Sequence, residues 1–110
     1  MNLDKDKLLK RYSQNVTKWK TTGWVPIPKK IIFDVRLSRA ALVVFPVLLS
    51  HMFRGSKYCF PQMSTIADET KLSTRSIRRA VKELKDCGYL IVESGKEKGT
   101  SNRYYFNIQL

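Results

Sequence analysis

Apolar and polar positions alternate along this chain in two different rhythms. The slower rhythm is clearest from Pro61 to Leu90, PQMSTIADETKLSTRSIRRAVKELKDCGYL. Ile77, Ala80, Val81 and Leu84 fall at i, i+3, i+4 and i+7, the stripe of an amphipathic helix. The spacing predicts a helix over Thr74 to Cys87, with Ser73 as N-cap and Gly88 just past its end. A shorter helix from Met63 to Thr70 precedes it. Ile66 and Ala67 turn toward the longer helix, and Leu72 plugs the turn between the two. Upstream, SRAALVVFPVLLSHMF is apolar nearly all round, the pattern of a buried central helix. Ser38 caps it, Pro46 is expected to kink it, and Gly55-Ser56 closes it. Lys57 to Phe60 reads as a brief edge strand. After Gly88 the period drops to two. Tyr89 to Glu93 and Arg103 to Ile108 read as strands, and the polar SGKEKGTSN between them as the tip of an antiparallel hairpin.

The first 24 residues form a separate basic arm, expected to be partly helical. Leu8, Tyr12, Val16 and Trp19 are spaced four, four and three apart, on one helical face. Asp4 and Asp6 at the start and Lys18 and Lys20 at the end match the helix macrodipole. A second copy of the chain is one option for what that face packs against. Trp24 to Pro28 is held extended by its prolines, and Pro28 opens a short helix through Asp34. The remainder, 25 to 110, is expected to be one α+β domain. The sequence shows no internal repeat.

Charge narrows the partner. Twenty-one Lys and Arg against nine Asp and Glu give a net charge of +12 and a pI near 10.0. That excess favours a polyanion, either nucleic acid or an anionic membrane surface. Residues 1 to 37 alone hold nine cations and three anions. The arm has only a modest apolar face for a membrane. The longest apolar run, Ala40 to Leu49, is too short to span a bilayer, which takes about 20 residues. The chain opens with acids and no apolar leader follows. Cys59 and Cys87 lie in no metal-ligand spacing and are expected to be reduced, buried thiols of a cytoplasmic protein. His51 is the sole histidine, so imidazole metal sites are excluded. The sequence has no nucleophile with its base, no phosphate-cradling glycine loop and no paired carboxylates in an apolar setting. An enzyme is therefore not expected, nor a cofactor.

Opposite the apolar stripe lie Thr74, Arg75, Arg78, Arg79 and Lys82, with Ser76 beside them. Arginine forks bond guanine O6 and N7 bidentately, while hydroxyls reach bases or phosphates. A greasy face and an arginine-rich face on one helix, braced by a shorter helix, is the layout of a major-groove reader. The hairpin tip adds Lys96, Lys98, Thr100, Ser101, Asn102 and Arg103, placed to enter a minor groove or lie on phosphates. Double-stranded DNA is thus the expected partner. Three helices followed by a hairpin, with a short strand after the first helix, is the winged helix-turn-helix plan.

The residues that carry this plan also carry a family resemblance. Leu37-Ser38, Ala41, Val44 and Leu48 match the first helix of a pattern completed by Phe60-Pro61, Ile66-Ala67, Leu72-Ser73, Arg75, Ile77, Arg79-Ala80, Leu84 and Gly88. From Pro26 to Ile108 the chain resembles the N-terminal winged-helix domain of plasmid and phage replication initiators, and small helix-turn-helix proteins of mobile elements. The resemblance implies sequence-specific DNA binding at a replication or conjugative-transfer origin, alongside replication or relaxosome proteins, with a homodimer on DNA as one arrangement. A transcriptional regulator and a protein-interaction winged helix are the alternatives on the same fold. The chain stops just after the hairpin, as a complete small protein or as a domain of a longer initiator. Two positions depart from the pattern. Gln62 stands in place of the usual serine cap, and Lys71 in place of the usual turn glycine, which implies left-handed strain there.

Overall fold

The computed structural model describes residues 25–52 and 58–107. The expected arm, Gly55-Ser56 and Ile108 lie outside the described residues. Four helices and three strands follow in order among those residues: α1 (Lys29–Ile32), α2 (Arg39–Ser50), β1 (Tyr58–Cys59), α3 (Met63–Thr70), α4 (Thr74–Asp86), β2 (Leu90–Glu93) and β3 (Arg103–Phe106). A single 3₁₀ turn, Lys96–Lys98, sits in the β2–β3 connection, which the sequence reading had expected to be an irregular loop. The class is α+β, with the helices packed on one face of a small antiparallel sheet.

Each helix starts where its cap allows. The Ser38 hydroxyl accepts from Ala41 N–H, and the Ser73 hydroxyl accepts from Ser76 N–H. Helix α4 stops in a Schellman arrangement. Gly88 N–H bonds Lys85 O, Tyr89 N–H bonds Leu84 O, and Gly88 takes φ +84°, a backbone that glycine adopts without strain. Pro28 lies at the cap of α1 rather than inside it, and α1 ends at Ile32, two residues short of the expected Asp34. The Asp34 carboxylate accepts from the Arg36 backbone N–H at 3.0 Å, so the chain turns there.

Helix α2 continues through Pro46 as one element but ends at Ser50, well before the expected Gly55. His51 and Met52 bond back to Leu48 O and Leu49 O, three residues earlier, and this tightened turn delivers Met52 into the core. Its inner face, Ala41, Val44, Phe45, Leu48 and Leu49, is fully buried. Ile31, Ile66, Ile77, Leu84, Tyr104 and Phe106 join it in one cluster, against which Val25, Ile27 and Leu72 also pack. The Phe45 and Phe106 rings meet edge to face at 5.5 Å and fix the central helix on the sheet.

The strand order is β1-β3-β2, all antiparallel, so β1 is an edge strand as expected. Leu90 pairs with Phe106 and Glu93 with Arg103, forming the predicted hairpin. Cys59 is buried and its thiol donates to Leu48 O; burial pushes its pKa up to about 12. Cys87, expected to be buried as well, is only half-buried, because it lies past the last full turn of α4.

Candidate nucleic-acid interface

The turn between α3 and α4 is three residues long and contains no glycine. Lys71 takes the left-handed conformation at φ 61°, the one non-glycine positive φ among the described residues. Two hydrogen bonds hold it there. Lys71 N–H bonds Ala67 O at 2.9 Å, and the Thr70 hydroxyl accepts Leu72 N–H while donating to Ile66 O. Leu72 is half-buried over the core. Gln62, at the N-cap of α3, makes no side-chain cap bond, as the departure from serine implies.

With both helices fixed, the outward arc of α4 follows from its periodicity. Ile77, Ala80 and Leu84 are fully buried, while Thr74, Arg75, Arg78, Arg79 and Lys82 are all exposed. At about 100° per residue, Arg78, Lys82, Arg75 and Arg79 occupy a contiguous arc of roughly 100°. Lys82 pairs with Asp86 at 3.5 Å. Arg75, Arg78 and Arg79 make no ion pair among the described residues, so their guanidinium groups stay available. Ser76 is half-buried at the edge of this arc, where its hydroxyl accepts from Ser73.

The hairpin tip is a built loop. Gly95 is buried, and its carbonyl accepts from Lys98 N–H at 3.1 Å and Thr100 N–H at 2.9 Å. A Cβ on Gly95 would lie 2.4 Å from the Thr100 and Ser101 carbonyl oxygens, so only glycine fits. Lys96, Lys98 and Thr100 are exposed and Ser101 is half-buried. An open groove of about 610 Å³ separates the tip from the helices, and Met63, Arg78, Lys96, Thr100 and Ser101 line it. Tertiary structure thus brings Arg78 of α4 opposite the tip.

Two expected tip residues are placed differently. Asn102 faces into the hairpin: its carbonyl oxygen accepts from Gly95 N–H at 3.1 Å, and its side chain hydrogen-bonds the Tyr104 hydroxyl. Arg103 belongs to β3. Its guanidinium lies 3.9 Å from the Glu93 carboxylate and 5.0 Å from the centre of the Tyr58 ring.

Two positioning clusters have no local signature in the sequence. Glu83, on the flank of α4, accepts from Ser38 N–H at 2.9 Å and from the Ser38 hydroxyl at 2.8 Å. In a capping box that backbone N–H is taken by a carboxylate three residues into the same helix. Here that position is Ala41, and α4 supplies the carboxylate from 45 residues away. The orientation of α4 is thereby locked to the start of α2. In the second cluster, the Asp34 carboxylate receives Arg36 Nε at 2.9 Å, Arg36 Nη2 at 2.6 Å and the Tyr89 hydroxyl at 2.6 Å. The Arg36 guanidinium and the Tyr89 hydroxyl hold Asp34 well below the usual carboxylate range. Burial, with the neighbouring Asp34, pushes the Tyr89 pKa up. This cluster ties the turn after α1 to the end of α4.

Among the described residues no group of three His, Cys, Asp or Glu side chains is placed to hold a metal ion. No described helix is long and apolar enough to cross a membrane.

The sequence profile of a helix-turn-helix domain family matches residues 35–90, just over half of the chain. Comparisons with curated proteins and with solved structures return no match.

Proposed function

The chain belongs to the helix-turn-helix domain family, and on that premise we propose that it binds double-stranded DNA sequence-specifically, with α4 in the major groove and the β2–β3 hairpin as a wing beside it. The observation that carries this reading is the shared groove. Arg78 from the exposed arginine arc faces Lys96, Thr100 and Ser101 of the tip across it. Arg75, Ser76 and Arg79 are the residues assigned to base edges. Thr74, Lys82, Lys96 and Lys98 are assigned to phosphates. Asn102 keeps the tip in shape, and Arg103 contributes charge from the sheet. The basic segment 1–24 is a further phosphate-binding surface beside the domain 25–110.

The resemblance to the winged-helix domain of replication initiators, together with the basic arm, supports a role at a plasmid or phage replication or transfer origin. Such a role suits a non-enzymatic, cytoplasmic protein acting with replication or relaxosome proteins. Two copies on a symmetric site would place half-sites about 34 Å apart.

A labelled-duplex titration over a salt series tests the binding reading. About six phosphate contacts give a log–log slope near −5. Changing Arg75, Arg78 and Arg79 together to Ala should flatten it by about 3. Unchanged duplex affinity in that variant would instead favour a protein-interaction domain. Footprinting on the DNA around the gene separates an origin from a promoter and shows whether the site is symmetric.

A further inference from the structure

The duplex interface leaves the outer face of the sheet unused. Strand register places Tyr58, Tyr105 and Ile91 in one row across β1, β3 and β2, while Cys59, Tyr104 and Val92 point to the core. In the next row Arg103 lies opposite Glu93, and Phe60 follows Tyr58 by two residues. The Tyr58 ring lies 5.3 Å from Tyr105 and 6.0 Å from Phe60, with the Arg103 guanidinium 5.0 Å from its centre. Phe60 nevertheless keeps 49% of its surface exposed. Glu93, the one anion on this face, is already engaged by Arg103 and by the Tyr105 hydroxyl.

This aromatic face runs into an open recess of about 460 Å³ between Tyr58, Phe60, Gln62, Thr100, Ser101 and Arg103. The volume is in the range of small-ligand sites. Its chemistry is mixed in a particular way: an exposed aromatic ring, one carboxamide, two hydroxyls and one guanidinium. The Gln62 carboxamide makes no cap bond to α3 and so retains both donor and acceptor. An aliphatic peptide would match the ring but leave Gln62 and Arg103 unanswered. A base-paired duplex exposes no unstacked base face.

We infer that this recess binds an unpaired base of single-stranded DNA, stacked on Phe60 with its polar edge on the Gln62 carboxamide and its phosphate near Arg103 and the tip hydroxyls. Aromatic platforms beside cationic grooves hold single strands in this manner. Thr100 and Ser101 line both this recess and the groove facing Arg78. A strand leaving a bound duplex therefore reaches the recess directly. The inference rests on the duplex-binding reading for that continuity, while the recess itself is tested separately.

The test uses the full chain and three labelled probes at one salt concentration: a thymidine oligomer of about ten nucleotides, an abasic oligomer of the same length, and a duplex. Phe60→Ala should weaken thymidine-oligomer binding by about 5- to 150-fold and leave duplex affinity within about twofold. The wild-type chain should hold the abasic oligomer about as weakly as Phe60→Ala holds thymidine. Gln62→Ala, at an exposed position that makes no cap bond, should give a smaller loss in the same direction and decides the matter if Phe60→Ala melts early. Equal binding of abasic and thymidine oligomers, or an unchanged thymidine affinity in both variants, would overturn the inference. Duplex binding without thymidine binding removes the recess and keeps the duplex reading. Thymidine binding without duplex binding does the reverse, and failure of both probes removes both.

Discussion

Replacing Glu83 by Ala tests how the presumed reading helix is held. The carboxylate accepts two hydrogen bonds from Ser38, at 2.9 and 2.8 Å, on partly buried groups. Hydrogen bonds to a charged partner contribute about 1.5–3 kcal/mol each, and access of water to a half-buried pair returns part of this. Ser38 N–H also loses the acceptor that a local capping box would have provided. The expected loss is about 2–4 kcal/mol, out of a total that for such domains is about 5–15 kcal/mol. With a urea dependence of about 1.5 kcal/mol per molar, the midpoint should fall by about 1.5–2.5 M. Circular dichroism at increasing urea reads this directly. Glu83→Gln keeps one acceptor oxygen and should lose about half as much. Comparing Glu83→Ala, Ser38→Ala and the double variant isolates the pair, with an expected coupling of about 1–2 kcal/mol. A coupling below about 0.3 kcal/mol would refute the reasoning, since residues far apart without shared partners add.

Further outcomes follow from other positions. Lys71→Gly relieves the left-handed backbone at φ 61° and should raise stability by about 0.5 kcal/mol, the left-handed strain outweighing the extra chain entropy of glycine; thermal melts check it. Asp34 titrates below its unfolded value near 3.9, so its contribution is complete above that pH and is lost as pH falls through the depressed folded value. Urea midpoints of wild type and Asp34→Asn should therefore differ at pH 7 and converge toward pH 2. Thiol titration of the native chain at pH 8 should label Cys87 and leave Cys59, pushed up to about 12, unreacted until urea is added.

Features with a local cause could be read from the sequence. The apolar stripe Ile77, Ala80, Leu84 and the arginine arc opposite it share one periodicity, so finding one placed the other. Ser38, Ser73 and Gly88 mark helix ends because their chemistry satisfies local backbone groups. The end of α2 could not be placed, because it depends on where Met52 enters the core and not on the glycine that follows. Arg103 and Asn102 were assigned to the tip by proximity in sequence, whereas cross-strand register and the Gly95 amide set their positions. Glu83 with Ser38 and Tyr89 with Asp34 are pairs 45 and 55 residues apart. Neither has a motif. An acid on an otherwise cationic helix flank was the available hint for Glu83, and nothing in the sequence pointed to Tyr89 and Asp34.

The central claim is that the arginine arc of α4 and the hairpin tip together contact the duplex. Nitrogen-15 amide spectra of the chain, recorded while its footprinted duplex is titrated in, test this most directly. Shifts should concentrate at Thr74 to Lys82 and Lys96 to Ser101, with the buried face of α2 unmoved. Shifts centred instead on α1 and the exposed Phe33 and Val35, with Arg75, Arg78 and Arg79 unaffected, would contradict it.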